Sequence, residues 1–124
     1  MILSLREARL SICRLDAGAE IPPWATQGAF FSITRTTSEL SVVCESAGVP
    51  DGVRADHGWR ALAVNGPLAL NTVGVLAELS VPLGVTGVSI FAVSTYDTDY
   101  LLVREADVDR SAEALSAAGH TVNR

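Results

Sequence analysis

The chain has 124 residues, of which 48% are hydrophobic and 19% charged, and its net charge is −5. This length suits one domain or two fused half-sized units, because independent domains of about 60 residues are only marginally stable. The acidic balance argues against a nucleic-acid partner, since the nine basic residues are scattered and form no phosphate-binding stripe. The most apolar stretch, residues 73–93, is interrupted by Glu78, Pro82, Gly84 and Gly87, which argues against a membrane span and a membrane partner.

The N-terminal segment MILSLREARL has charges where a signal peptide needs its apolar region, so we expect a cytoplasmic protein. Cys13 and Cys44 lie in apolar, strand-like runs without a CxxC motif. This pattern favours buried, reduced thiols, with a redox or catalytic cysteine as the alternative. His57 and His120 have no partner at metal-ligand spacing, and we predict neither a metal site nor another cofactor.

In the first half of the chain, alternating and β-branched residues predict strands, and prolines and glycines predict turns. The strands are expected at residues 10–15, 30–34 and 40–44. Pro22 and Pro23 can open a short helical turn. Residues 46–58 read as a loop, with a remnant helix near residues 53–57.

The second half predicts the order βαββαβ from residue 59 onward. Strands are expected at residues 59–64, 88–93, 100–103 and 120–122. The first helix is expected over residues 68–80, with Pro67 in its first turn and with Pro82 and Gly84 ending or kinking it. The second helix is expected over residues 107–118, with Asp107 as its N-cap and Gly119 as its terminator.

An ungapped shift of 60 residues places residues 30–45 over residues 90–105. Phe31 then meets Phe91, Val43 meets Val103, and both segments read as strand, turn and strand. The chain therefore looks like an internal duplication.

Several segments carry a family resemblance. NGPL at residues 65–68, followed by VGVLAEL at residues 73–79, resembles the first loop and helix of an ACT domain. STYDTDYLLV at residues 94–103 is similar to the ACT subtype of aspartate kinases and of the CASTOR arginine sensors. IPPW at residues 21–24 resembles small bacterial, stand-alone ACT proteins of this subtype.

The resemblance implies an α+β, ferredoxin-like fold: a two-layer βαββαβ arrangement with helices on one face of an antiparallel sheet. It divides the chain into a degenerate N-terminal ACT-like half, residues 1–58, and an ACT domain, residues 59–124. The N-terminal half has only the PPW turn in place of its first helix and a loop in place of its second. That half is therefore expected to be structural.

The resemblance also implies a ligand site between the 65–68 loop and the 94–99 hairpin. The loop would supply N–H donors to a carboxylate, while hydroxyls and Asp99 would hold an ammonium or a polar group and Tyr96 would form a wall. The predicted ligand-binding residues are Asn65, Gly66, Leu68, Ser94, Thr95, Tyr96 and Asp99. Without the resemblance, a capped strand–helix turn and ordinary hairpin chemistry explain the same residues.

The function expected from this site is non-catalytic: a regulatory protein that binds a small molecule, an amino acid. A structural or protein-interaction module with a decayed ligand site is the alternative, and a small hydrolase or transferase that uses Cys44 or His57 is a third class. We expect a homodimer or a higher homo-oligomer, because the composition is apolar and a two-layer fold leaves sheet edges unpaired.

Overall fold

The computed structural model describes all 124 residues, which separate into two compact units. Unit 1 contains Met1–Glu7 and Arg60–Arg124, and unit 2 contains Ala8–Trp59. The strands are β1 (Ile2–Leu5), β2 (Leu10–Leu15), β3 (Ser32–Arg35), β4 (Leu40–Glu45), β5 (Ala55–Val64), β6 (Ile90–Ser94), β7 (Asp99–Arg104) and β8 (Thr121–Asn123). The helices are α1 (Val75–Val85) and α2 (Val108–Ala117).

Unit 1 holds a sheet in the order β6–β7–β5–β1–β8. β6 runs antiparallel to β7, whereas β1 runs antiparallel to β5 and parallel to β8. From β5 to β8 the chain follows the order βαββαβ, so the predicted α+β, ferredoxin-like fold class is confirmed. The division into ACT-like halves at residue 58 stays a prediction.

The core of unit 1 joins the sheet to both helices. Alternation along β5 and β7 turns every second side chain to the same face, and both helices lay their buried leucines against that face. The buried members of this core are Leu3, Leu62, Val64, Leu79, Leu83, Val88, Leu101, Val103 and Leu115. This packing holds the N-terminal end of α1 beside the β6–β7 hairpin.

The predicted boundaries of α1 are wrong at both ends. Residues 68–74 are not helical: the Leu68 N–H donates to the Asp97 carbonyl at 2.6 Å, and Gly74 has φ +82°, which a helix does not allow. Pro82 neither ends α1 nor lies after it. A proline in the last turn removes only one intrahelical donor, and the Pro82 carbonyl still accepts the N–H of Thr86 at 3.2 Å.

Two further predictions need correction. The expected helical remnant at residues 53–57 is wrong, because β5 begins at Ala55 and pairs with β2 there. Asp107 occupies the N-cap position of α2 but makes no capping hydrogen bond, because its carboxylate pairs with Arg110 at 2.8 Å. Gly119, with φ +96°, follows α2 as predicted. β1 has no counterpart in the sequence prediction.

Unit 2 is a sheet of β3, β4, β2 and the first residues of β5, in that order. One face packs against the 3₁₀ turn Pro23–Thr26, which confirms the helical turn predicted on the two prolines. Cys13 and Cys44 are free, buried members of this core, together with Ala25, Leu40 and Val42. The prediction of two buried thiols is confirmed.

The two hairpins of the repeat match in strand pairing, with a shift that differs by one residue from the sequence alignment. Arg35 faces Leu40 at the end of the β3–β4 hairpin, and Ser94 faces Asp99 at the end of the β6–β7 hairpin. The hairpins therefore correspond at a shift of 59 residues, not 60. The turn chemistry agrees, since the N–H of Thr36 and that of Thr95 each donate to a carbonyl three residues on.

Two fully buried serines allow a matched stability experiment. Ser11 and Ser111 are both 0% exposed, but the Ser11 hydroxyl contacts Ser46 Oγ at 2.7 Å and His57 Nδ1 at 2.6 Å, whereas the Ser111 hydroxyl has no partner. We expect Ser111→Ala to raise the free energy of unfolding by about 1 kcal/mol, because it removes a buried hydroxyl that makes no hydrogen bond. Ser11→Ala should lower it by about 1–3 kcal/mol. Urea unfolding of both variants checks the pair, and equal losses would contradict this expectation.

Candidate functional site

A cleft of about 400 Å³ opens in unit 1 at the N-terminal end of α1. Its walls are the loop that precedes α1, the first residues of α1 and the β6–β7 hairpin, and we call it the α1 cleft. A volume of this size suits a small metabolite. The lining residues are Leu68, Ala69, Leu70, Thr72, Gly74, Val75, Leu76, Ala77, Ser94, Thr95, Tyr96, Thr98 and Asp99.

The first turn of α1 forms one wall of the cleft. The helix begins with a hydrogen bond from the Glu78 N–H to the carbonyl of the N-cap residue, Gly74, at 2.9 Å. The N–H groups of Val75, Leu76 and Ala77 therefore have no acceptor within the helix, and no side chain caps them. The free N–H groups and the positive end of the helix dipole together create a positive potential at this wall. The wall therefore suits an anionic group such as a carboxylate.

Asp99 carries the negative charge of the opposite wall. It is the first residue of β7, it is half-buried, and it is the only charged residue that lines the cleft. Strand pairing places Ser94 directly opposite, and the Ser94 hydroxyl donates to Asp99 Oδ1 at 2.6 Å. This hydrogen bond orients the carboxylate and leaves its second oxygen available to a cation.

Thr95 and Tyr96 line the cleft in different ways. The Thr95 hydroxyl donates to the Thr98 carbonyl at 3.1 Å and accepts from the Thr98 N–H at 3.2 Å, so it closes the hairpin turn. Tyr96 is 78% exposed and stands at the rim. Thr95 therefore fits the ordinary turn chemistry that the sequence offered as an explanation, while Tyr96 supplies an aromatic side chain at the rim.

Of the three predicted loop residues, only Leu68 lines the α1 cleft. Its N–H is already donated to Asp97, so it is not a free donor. Asn65 accepts from the Ser4 hydroxyl at 2.9 Å and donates its own N–H to the Ile2 carbonyl at 2.8 Å. Gly66 lies against the hairpin, where a Cβ atom would stand 2.9 Å from the Asp97 carbonyl oxygen. The structure thus groups five of the seven predicted residues and separates Asn65 and Gly66 from them.

The first turn of α1 is absent from the predicted site, because the predicted helix begins seven residues before the observed one. One local signal marks the true start. Gly74 precedes the uninterrupted apolar run Val75–Leu76–Ala77, and a glycine that adopts positive φ is common at a helix boundary.

Cys13 and Cys44 do not have the properties of a nucleophilic centre. Burial, together with the neighbouring Cys44 thiol, raises the pKa of the Cys13 thiol from 9.0 to about 12. Burial also raises the pKa of Cys44, although a hydrogen bond to Cys13 opposes the change. A reactive cysteine needs the opposite shift and access to solvent. No cluster of metal-ligating side chains is present, and neither helix is long and apolar enough to span a membrane.

Comparisons with known proteins agree with this fold. A family model described as an ACT domain matches residues 54–117, and a second model, of an N-terminal domain, matches residues 9–52. The structure of protein Atu0741 from Agobacterium tumefaciens is 42% identical, covers 98% of this chain and 90% of that one, and has a TM-score of 0.92. The ligand-free regulatory subunit of aspartate kinase from Thermus thermophilus is 12% identical, with coverages of 94% and 95% and a TM-score of 0.65.

Among curated proteins, cytosolic arginine sensor for mTORC1 subunit 1 from Bos taurus is 30% identical over 113 residues, which are 82% of this chain and 32% of that protein. The chain therefore spans about a third of the length of this relative. The βαββαβ order of the present chain defines a ferredoxin-like α+β protein. The ACT model matches more than half of the chain, and the chain belongs to the ACT domain family.

Proposed function

We propose that the chain is a non-catalytic regulatory protein that binds a free amino acid in the α1 cleft. One observation carries the proposal: the cleft sets the uncapped first turn of α1 opposite the Asp99 carboxylate. An amino acid is a zwitterion, with one anionic and one cationic group on the same carbon. Two walls of opposite electrostatic character match that pair of charges.

In this arrangement the ligand carboxylate accepts from the N–H groups of Val75, Leu76 and Ala77. The ligand ammonium donates to Asp99, whose orientation depends on Ser94. Binding of this kind needs neither a nucleophile nor a metal ion. The cleft therefore supports recognition of a ligand without chemistry on it.

The regulatory role is supported by family membership and by the relatives, whose names describe an arginine sensor and the regulatory subunit of aspartate kinase. We propose that the chain acts in the cytoplasm and passes the ligand signal to a partner protein or to a second copy of itself. We also propose that residues 59–124 act as the ligand-binding ACT domain and that residues 1–58 are a degenerate half.

One observation favours the alternative, an interaction module with a decayed ligand site. Val81 and Val85 on α1 and Val73 before it are 61%, 84% and 94% exposed, which is unusual for large apolar side chains in one segment. A module of this kind would keep the fold but would bind no amino acid.

Asp99→Asn separates these functions because it removes the charge and keeps the size of the side chain. We expect isothermal titration calorimetry against the twenty amino acids to identify a ligand for the parent protein, and Asp99→Asn to weaken its binding at least tenfold, since a charged hydrogen bond is lost. Asp97→Asn is the matched control: Asp97 lies in the same hairpin but does not line the α1 cleft, and it should bind like the parent. If no amino acid binds, the interaction module is the better account.

A further inference from the structure

We infer that the α1 cleft selects an amino acid with a neutral, apolar side chain and discriminates against arginine and lysine. This inference rests on the function proposed above. It concerns the ligand class, and it follows from the number of charges in the cleft and from the character of the remaining wall.

Asp99 is the only charged residue among the thirteen that line the cleft. An α-amino acid with a neutral side chain brings one cationic group, which this one carboxylate satisfies. Arginine and lysine bring a second cation, and the cleft offers it no second carboxylate. A second cation that is buried in the cleft loses its hydration without gaining a partner, and one that stays in water gains no apolar contact, so either position disfavours binding relative to an aliphatic side chain.

The wall between the two charged ends is apolar. Seven of the lining residues have hydrocarbon or aromatic side chains: Leu68, Ala69, Leu70, Val75, Leu76, Ala77 and Tyr96. Two of them, Leu70 and Leu76, are 69% and 38% exposed while the cleft is open. An aliphatic ligand side chain would remove this surface from water, and that burial stabilises the complex in proportion to the apolar area covered.

Asp97 is a second carboxylate outside the α1 cleft. It lines a neighbouring depression that shares Leu68, Ala69, Leu70 and Tyr96 with the α1 cleft, so a long cationic side chain could extend toward it. However, Asp97 is exposed, and an exposed ion pair contributes little because water solvates both partners. The apolar wall of the α1 cleft therefore decides the preference.

Calorimetry on the full chain tests the ligand class with L-leucine, L-isoleucine and L-valine against L-arginine and L-lysine. We expect at least one aliphatic amino acid to bind ten times more tightly than either cationic one, and Asp99→Asn to weaken it. If arginine or lysine binds as tightly as the aliphatic ligands, and Asp99→Asn still weakens that binding, the apolar preference is wrong and amino-acid binding stands. If none of the five ligands nor any other amino acid binds, both proposals are wrong.

A gain of charge gives an independent readout. Leu70→Glu places a second carboxylate in the apolar wall, and we expect it to lower the preference for aliphatic over cationic ligands at least tenfold. Val85→Glu is the matched control, because Val85 is exposed on the last turn of α1 and does not line the cleft. An unchanged ratio of affinities in Leu70→Glu, or an equal change in Val85→Glu, would overturn the inference.

Discussion

Replacing Leu83 with alanine should lower the free energy of unfolding by about 2–5 kcal/mol, because the change removes buried methyl groups and leaves a cavity. Leu83 is 0% exposed and belongs to the core that joins α1 to the sheet. Since both α-helices lie in unit 1, urea unfolding followed by far-UV circular dichroism reports on the region that changes. The same core holds the first turn of α1 in place, so ligand binding should weaken as well.

Val81→Ala is the matched control for Leu83→Ala. Val81 lies two residues earlier on the same helix and is 61% exposed, so its truncation removes little buried surface. We expect a change within about 0.5 kcal/mol, since surface substitutions have small effects and alanine is the better helix former. Comparable losses in both variants would mean that the outer face of α1 is covered in solution, as the interaction-module alternative requires.

Alkaline pH should destabilise unit 2 through Cys13. The folded state holds the pKa of this thiol at about 12, while the unfolded chain has the ordinary value of 9.0. The unfolded state therefore loses the thiol proton at a lower pH than the folded state does. The folded state keeps its full stability relative to the unfolded state below pH 9, and it loses stability as the pH rises from about 9 toward 12. The free energy of unfolding should fall by up to about 1.4 kcal/mol per pH unit in that interval.

Tryptophan fluorescence measures this effect, because Trp24 and Trp59 both lie in unit 2. Urea midpoints at a series of pH values from about 8 to 10 give the slope of the free energy of unfolding against pH, from below the unfolded pKa of Cys13 to above it. Cys13→Ala should reduce this slope, and the part that remains belongs to Cys44, because burial raises the pKa of that thiol as well. A slope that persists unchanged in Cys13→Ala would assign the pH dependence to other groups. A parent protein with no slope would show that the thiol is not buried in solution.

The strands were predictable because they depend on local signals. Alternation and β-branched residues place seven of the eight strands to within a few residues, and the order βαββαβ follows from them. β1 escapes prediction because its partners, β5 and β8, are distant in sequence. The predicted helix ended before Pro82, whereas α1 continues through this residue to Val85. In sequence, a proline that is tolerated in the last turn of a helix looks the same as one that ends a helix.

The site was predictable only in part. The hairpin side comes from one continuous segment, so Ser94 and Asp99 meet through strand pairing that the sequence already implies. The other wall depends on the residue where α1 begins. That point is set by the φ of Gly74 and by a hydrogen bond from Leu68 to the hairpin, and no local propensity describes such a tertiary contact.

The position of β1 has a consequence for the order in which the molecule folds. Leu3 pairs with both Val64 and Val122, so the sheet of unit 1 closes through contacts between residues very far apart in the chain. Unit 2, in contrast, is one continuous segment, Ala8–Trp59. Contacts between distant residues form slowly, because the entropy of closing a long loop is lost before the contact compensates for it. The strand pairings of unit 2 can therefore form early in synthesis, whereas the sheet of unit 1 is completed only after β8 has left the ribosome.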